Sequence, residues 1–163
     1  GLIGFRTQFL SMTSGTGILT SIFDRFGPIK TGDIGTRQNG VMISNVKGKV
    51  LGYALFTLQE RGRLFVDPGI EVYEGMIVGL HSRENDIVVN PTKAKQLTNI
   101  RAAGTDENIV LTPPIRHSLE QAMEFIDSDE LVEITPNHIR LRKQYLLESD
   151  RKRMSRKSES ADE

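Results

Sequence analysis

Residues 41–90 read VMISNVKGKVLGYALFTLQERGRLFVDPGIEVYEGMIVGLHSRENDIVVN, and this stretch decides the fold. Short apolar runs alternate with glycine, proline and polar breaks, the pattern of strands joined by tight turns. VMISN and VKGKV predict two strands, with Lys47-Gly48-Lys49 as a hairpin turn. LGYALFTLQERG reads as a further strand by alternation, with Tyr53, Leu55 and Thr57 opposite Ala54, Phe56 and Leu58. RLFV follows, then the turn DPG, then EGMIVGLHS and DIVVN joined by RENDI. Several short strands at this spacing predict a barrel or a sandwich.

Working outward, the flanks add helices. Toward the C-terminus, Ser118 is placed as an N-cap with Gln121 as its capping-box partner, opening a helix over LEQAMEFI. That helix would share a face of Leu119, Met123 and Ile126, with Ala122 beside them. ELVEITPNHIRLRK predicts two strands around the turn Pro136-Asn137. The tail YLLESDRKRMSRKSESADE begins helix-like and ends polar. Toward the N-terminus, Leu2, Ile3, Phe5, Phe9, Leu10 and Met12 suit a helix with a broad apolar face, stopped by Ser14-Gly15-Thr16-Gly17. Ile18 to Phe26 alternates as a strand, and FGPIKTGDIGTRQNG after it has the composition of a loop and marks a domain boundary. The fold class is therefore α+β: mainly short antiparallel strands in a barrel-like C-terminal domain with one or two helices. Residues 91–114, PTKAKQLTNIRAAGTDENIVLTPP, keep no period and read as a long flexible loop, a feature that is often functional.

Composition excludes several classes. The chain has 163 residues, 37% hydrophobic and 26% charged, enough apolar content for a packed core. It lacks an apolar run long enough to span a membrane. Without cysteine it forms neither disulfides nor thiolate metal sites, which is compatible with a cytoplasmic setting. The net charge of zero conceals a segregation. Residues 1–63 carry eight Lys/Arg against three Asp/Glu, residues 64–139 five against thirteen, and residues 140–163 eight against five. Such asymmetry either marks a polyanion-binding face or reflects ordinary solvated surface.

The motifs of common enzymes do not hold. MTSGTG lacks the lysine of a phosphate loop and sits after a helix, whose C-terminal carbonyls repel phosphate. His81, His117 and His138 have no ligand spacing and read as structural or surface residues. The basic residues are more informative. Arg83, Lys93, Lys95, Arg101 and Arg116 flank or lie in the irregular segment, and Arg140 and Arg142 face one side of a strand that continues into Lys143. Cations on an irregular loop can neutralise nucleic-acid phosphates, and the scarcity of aromatics there argues for shape and phosphate contact over base stacking. Docking of a protein through Leu111, Pro113 and Pro114 is the alternative.

Six blocks carry a resemblance: GLIGFRTQFLSMTSGTG, RQNGVMISN, GYALFTLQERGRLFV, VYEGMIVGLHSRENDIVVNP, QLTNIRAAGTDENIVLTPPI and SLEQAMEFIDSDELVEITP. In this order they resemble the C-terminal portion of the TypA/BipA family of ribosome-binding translational GTPases, over residues 1 to about 157. The resemblance implies an upstream GTP-binding domain, a β-barrel domain and domains similar to the third and fifth domains of elongation factor G. Residues 1–29 would be the second half of that fifth-like domain, residues 30–157 the family-specific C-terminal domain, and residues 158–163 a polar tail. GTP and Mg would bind in the upstream domain, so this chain would not hydrolyse GTP while its parent would. The resemblance further implies contact with ribosomal RNA and the acceptor end of A-site tRNA, in ribosome function, assembly or stress response. The phosphate contacts would be Arg83, Lys93, Lys95, Arg101, Arg116, Arg142 and Lys143, with Gly104 and Thr105 giving the loop its flexibility. The apolar face of the first helix would drive self-association where its sheet is missing.

Overall fold

The computed structural model describes residues 5–20, 22–27, 37–94 and 109–159. In chain order these form α1 (Phe5–Met12), β1 (Val41–Ser44), β2 (Gly48–Lys49), α2 (Gly52–Leu58), β3 (Gly62–Leu64), β4 (Glu71–Val72), β5 (Met76–His81), β6 (Ile87–Val89), α3 (Leu119–Phe125), β7 (Glu130–Ile134), β8 (Ile139–Lys143) and α4 (Glu148–Glu159). The class is α+β, as the patterning predicts. The strand path runs β6-β1-β5-β8-β7, and β3 also pairs with β5. Among the described residues this path does not close into a barrel.

β5 is the centre of the sheet. One edge pairs antiparallel with β1, and the other is divided between β8, opposite Met76 and Ile77, and β3, opposite Gly79 to His81. All four residues of β1 are buried, which requires cover on both faces of the sheet. Alternation along β1 and β5 supplies the two layers. Met42, Met76 and Val78 join Val50, Leu55, Leu58, Leu64 and Val89 in the core beneath α2. Val41, Ile43 and Ile77 join Ala122 and Leu141 in the core beneath α3.

Four parts of the chain depart from the sequence reading. Residues 52–58 form the helix α2, continued by a 3-10 turn at Gln59–Arg61, where alternation predicts a strand. Ala54, Leu55 and Leu58 are buried while Tyr53, Phe56 and Thr57 are exposed, which is helical periodicity. Gly48 is not a hairpin turn. With Lys49 it forms β2, which pairs with β4, and the chain bends earlier, at Val46, where Ser44 Oγ donates to Val46 O at 2.9 Å. DIVVN does form β6, but it runs parallel to β1 and does not pair with β5. Residues 16–20 and 22–27 carry no strand, because none of the eight strands offers them a ladder. Ile18, Ile22, Phe23 and Phe26 are accordingly exposed.

Other expectations hold. α1 ends at Gly15, whose φ of 79° lies in the left-handed region and whose N–H donates to Leu10 O at 2.7 Å. β7 and β8 form a hairpin in register from Glu130↔Lys143 to Ile134↔Ile139, turning at residues 135–138. α3 opens on the capping box of Ser118 and Gln121. Its buried residue is Ala122, whereas Met123 points outward at 63% exposure, away from the face expected for it.

Candidate nucleic-acid interface

α2 organises the irregular segment. At its start, Leu51 N–H donates to Pro91 O at 3.0 Å, where the chain leaves β6. At its end, the Gln59 side chain donates to Val110 O and accepts from Thr112 N–H, both at 3.0 Å. Pro91 and residues 110–112 therefore lie beside the two ends of one short helix. Leu111 packs against the core under α2, which leaves Pro113 and Pro114 but not Leu111 for a docking partner. Lys95, Arg101, Gly104 and Thr105 lie outside the described residues.

At the point of departure the chain turns against β2. Thr92 is held in a turn by Asn90 Oδ1, which accepts from its N–H at 2.9 Å and its hydroxyl at 2.8 Å. The turn packs on β2: a Cβ added to Gly48 would lie 3.2 Å from Thr92 Cγ2. Lys93 in this turn is exposed, as are Lys47 and Lys49 on either side of Gly48. Because the Cβ direction of Gly48 faces Thr92, the side chains of Lys47 and Lys49 project from the other face of β2.

The other predicted cations are spread over the domain. Arg83 is exposed in the turn between β5 and β6, where its carbonyl accepts from Gly40 N–H at 2.8 Å. It stands at the opposite end of β6 from Lys93. Arg116 is exposed, pairs with Asp67 at 2.9 Å and lines a cleft of about 560 Å³ between residues 65–70 and the β7–β8 hairpin. The strand period separates Arg142 from Lys143. Arg140 and Arg142 share one face, near Tyr73 and Glu133, as alternation predicts. There Arg140 pairs with Glu133 at 3.1 Å, and Glu133 accepts a 2.5 Å hydrogen bond from the Tyr73 hydroxyl. Burial and this bond together raise the Tyr73 pKa, and the same bond, aided by Arg140, lowers that of Glu133.

Lys143 faces the interior and is 3% exposed. Its ammonium meets Asp86 at 2.7 Å, Asp129 at 2.9 Å and Glu130 at 3.0 Å. Glu130 is buried as well and forms a two-pronged pair with Arg37, both contacts at 2.7 Å. The Arg37 guanidinium also donates to Phe125 O and lies 4.6 Å from the Phe125 ring centre. Burial alone would raise the Glu130 pKa, but the Arg37 hydrogen bonds and the Lys143 charge outweigh it and hold the carboxyl low. Burial likewise opposes the charge on Lys143, and its three carboxylates keep its pKa raised. Lys143 is the hub that ties β8 to the β5–β6 turn, and its charge is not presented to a phosphate.

The histidines have structural surroundings. His81 is buried with Nδ1 2.6 Å from Asn85 O, and His117 sits edge-on to Phe65 with a ring-centre distance of 4.7 Å. His138 is exposed in the β7–β8 turn. Among the described residues no cluster of His, Asp and Glu could hold a metal ion, and no helix is long and apolar enough to cross a membrane.

Comparison with known proteins bears on the whole chain. Residues 39–148 match the model of the TypA/BipA C-terminal domain. The chain is 62% identical over 160 residues to the large ribosomal subunit assembly factor BipA of Haemophilus influenzae, covering 98% of this chain and 26% of that protein. The proteins of the same name from Salmonella typhimurium and Buchnera aphidicola are 60% and 55% identical, over 96% and 98% of this chain and again 26% of theirs. The chain thus spans about a quarter of the length of these relatives. Identity of this order along nearly the full sequence, with a domain model over its structured centre, means that the chain belongs to the TypA/BipA family and carries the family's C-terminal domain.

Proposed function

We propose that this chain is an RNA-directed module of a ribosome-associated translational GTPase, acting in the cytoplasm. The observation that carries the reading is that Lys93 is exposed just after Pro91, whose carbonyl is held by Leu51 N–H at the start of α2. Lys93 would engage phosphates together with Lys95, Arg101, Gly104 and Thr105 of the segment 95–108, and the exposed Lys47 and Lys49 would add cations. Arg83, Arg116 and Arg142 would add further contacts. The relatives' name, large ribosomal subunit assembly factor, supports ribosomal RNA as the polyanion. Contact with the acceptor end of A-site tRNA is the finer form of the proposal. GTP hydrolysis, with GTP and Mg, belongs to the longer protein in this reading, and residues 1–29 belong to a preceding domain similar to the fifth domain of elongation factor G. The exposed Phe5, Leu10 and Met12 of α1 would then be apolar surface that self-associates when that domain is incomplete.

Co-sedimentation with ribosomes across a salt series tests the reading. Binding should weaken steeply as salt rises, because each phosphate neutralised contributes roughly 0.7–0.9 to the logarithmic slope. Lys47→Ala/Lys49→Ala/Lys93→Ala should lower that slope by roughly 2, and Lys93→Ala/Lys95→Ala/Arg101→Ala should weaken binding comparably. Binding indifferent to salt and to both variants would instead favour a protein partner docking at Pro113 and Pro114.

A further inference from the structure

α4 presents a second cationic surface that a reading centred on the 91–114 segment leaves out. One side of the helix is seated on the domain. Glu148 N–H donates to Glu74 Oε1 at 3.3 Å, and Arg151 Nη1 donates to Tyr145 O at 3.0 Å and to Leu146 O. Arg151 and Met154 are half-buried on this side. The preceding turn is seated closely too, since a Cβ on Gly75 would lie 2.6 Å from Leu146 Cα.

The opposite side carries Ser149, Lys152, Arg153, Arg156 and Lys157, all exposed and lining one shallow groove. The spacing i, i+1, i+4, i+5 puts the four cations in two adjacent rows along roughly 7.5 Å of helix axis. Arg156 and Lys157 stand in the last turn, where the helix dipole favours cations, but Lys152 and Arg153 lie nearer the middle, where it makes no such demand. Lys152 pairs with Glu148 at 2.5 Å and Arg153 with Asp150 at 3.1 Å. Both pairs are solvent-exposed, weak and readily exchanged for phosphate. The outward face has no apolar side chain, since Met154 points inward. A helix that lies in a lipid surface needs an apolar face for the bilayer, so the composition fits a nucleic-acid backbone better than a membrane.

We propose that the outward face of α4, through Lys152, Arg153, Arg156 and Lys157, is a phosphate-contact surface for structured RNA, separate from Lys93. The identity of the polyanion rests on the ribosome-directed reading above; the surface itself rests on α4 alone.

The test is binding of the 163-residue chain to purified large-subunit ribosomal RNA over a salt series, with anionic phosphatidylglycerol vesicles as the comparison. Lys152→Gln/Arg153→Gln/Arg156→Gln/Lys157→Gln should lose at least about ten-fold in affinity at low salt, with the slope falling by roughly 3. Lys152→Arg/Lys157→Arg should bind like the unaltered chain, and circular dichroism should show α4 retained in both variants. If the glutamine variant binds RNA with unchanged affinity and slope while Lys47→Ala/Lys49→Ala/Lys93→Ala is impaired, the α4 surface is refuted and the functional reading stands. If the unaltered chain binds vesicles through α4 but not RNA, both are refuted.

Discussion

Glu130 shows what a single buried charge does in this domain. Its carboxylate is shared by Arg37 and Lys143 in the interior, so that α3, the chain before β1, and the β7–β8 hairpin meet at one anion. Removing one partner of a buried ion pair leaves its counter-charge desolvated and unpaired. Glu130→Gln is therefore expected to destabilise the chain by about 3–5 kcal/mol, read as a lowered urea midpoint at unchanged slope. Lys143→Met, which removes the cation but keeps the bulk, should also destabilise, since Glu130, Asp86 and Asp129 then face each other without it. His117 gives a pH dependence. Burial against Phe65 and Phe125 holds its pKa below the usual 6.5, so the folded chain takes up the imidazole proton at a lower pH than the unfolded chain does. As pH falls below 6.5 the unfolded chain takes up a proton that the folded chain refuses, and stability declines. Glu130 and Glu133, both lowered from 4.5, keep their contribution above that value and lose it as pH falls through their folded values. Urea midpoints against pH should thus fall in two stages on acidification, and His117→Phe should abolish the upper one.

Among the elements, α3 and α2 differ in how their sequences announce them. Ser118 and Gln121 form a reciprocal pair in which each side chain receives the other's backbone N–H, at 3.3 Å and 2.9 Å. That signal is local, and it was legible. Ser118→Ala should cost about 1 kcal/mol, and Ser118→Asp should restore most of it, as measured by thermal or urea unfolding. In GYALFTL the apolar residues are nearly continuous, so periods of two and of 3.6 both fit. What selects the helix is that Leu55 and Leu58 can then reach the same core as Met42 and Val78. β3 depends on one close approach. A Cβ on Gly62 would stand 1.9 Å from Leu80 O, so Gly62→Ala must push β3 off β5. Overpacking of this kind costs about 1–3 kcal/mol. The expected readout is faster amide exchange along β3 together with a lowered unfolding midpoint.

At the scale of the whole molecule, residues 110–112 are coupled to the sheet through α2. Gln59 holds the returning chain by two hydrogen bonds, while Leu111 packs beneath the helix. Gln59→Ala should therefore speed exchange of the Thr112 amide and leave the central β5 amides unchanged, a difference that amide-resolved hydrogen exchange can read. The sequence by itself determined the family, the α+β class, the cap of α3, the stop of α1 and the β7–β8 hairpin. The elements rest on residues close together in the chain, such as a capping pair or a glycine in a left-handed turn, and the family rests on six blocks in order along the sequence. The tertiary structure alone decided that Lys143 is enclosed by Asp86, Asp129 and Glu130, that residues 52–58 are helical, and that Pro91, Val110 and Thr112 are held beside the two ends of α2. The physical reason is that a lysine's neighbours depend on which strand pairs with which and which face of the strand is covered, and neither is encoded in a local period.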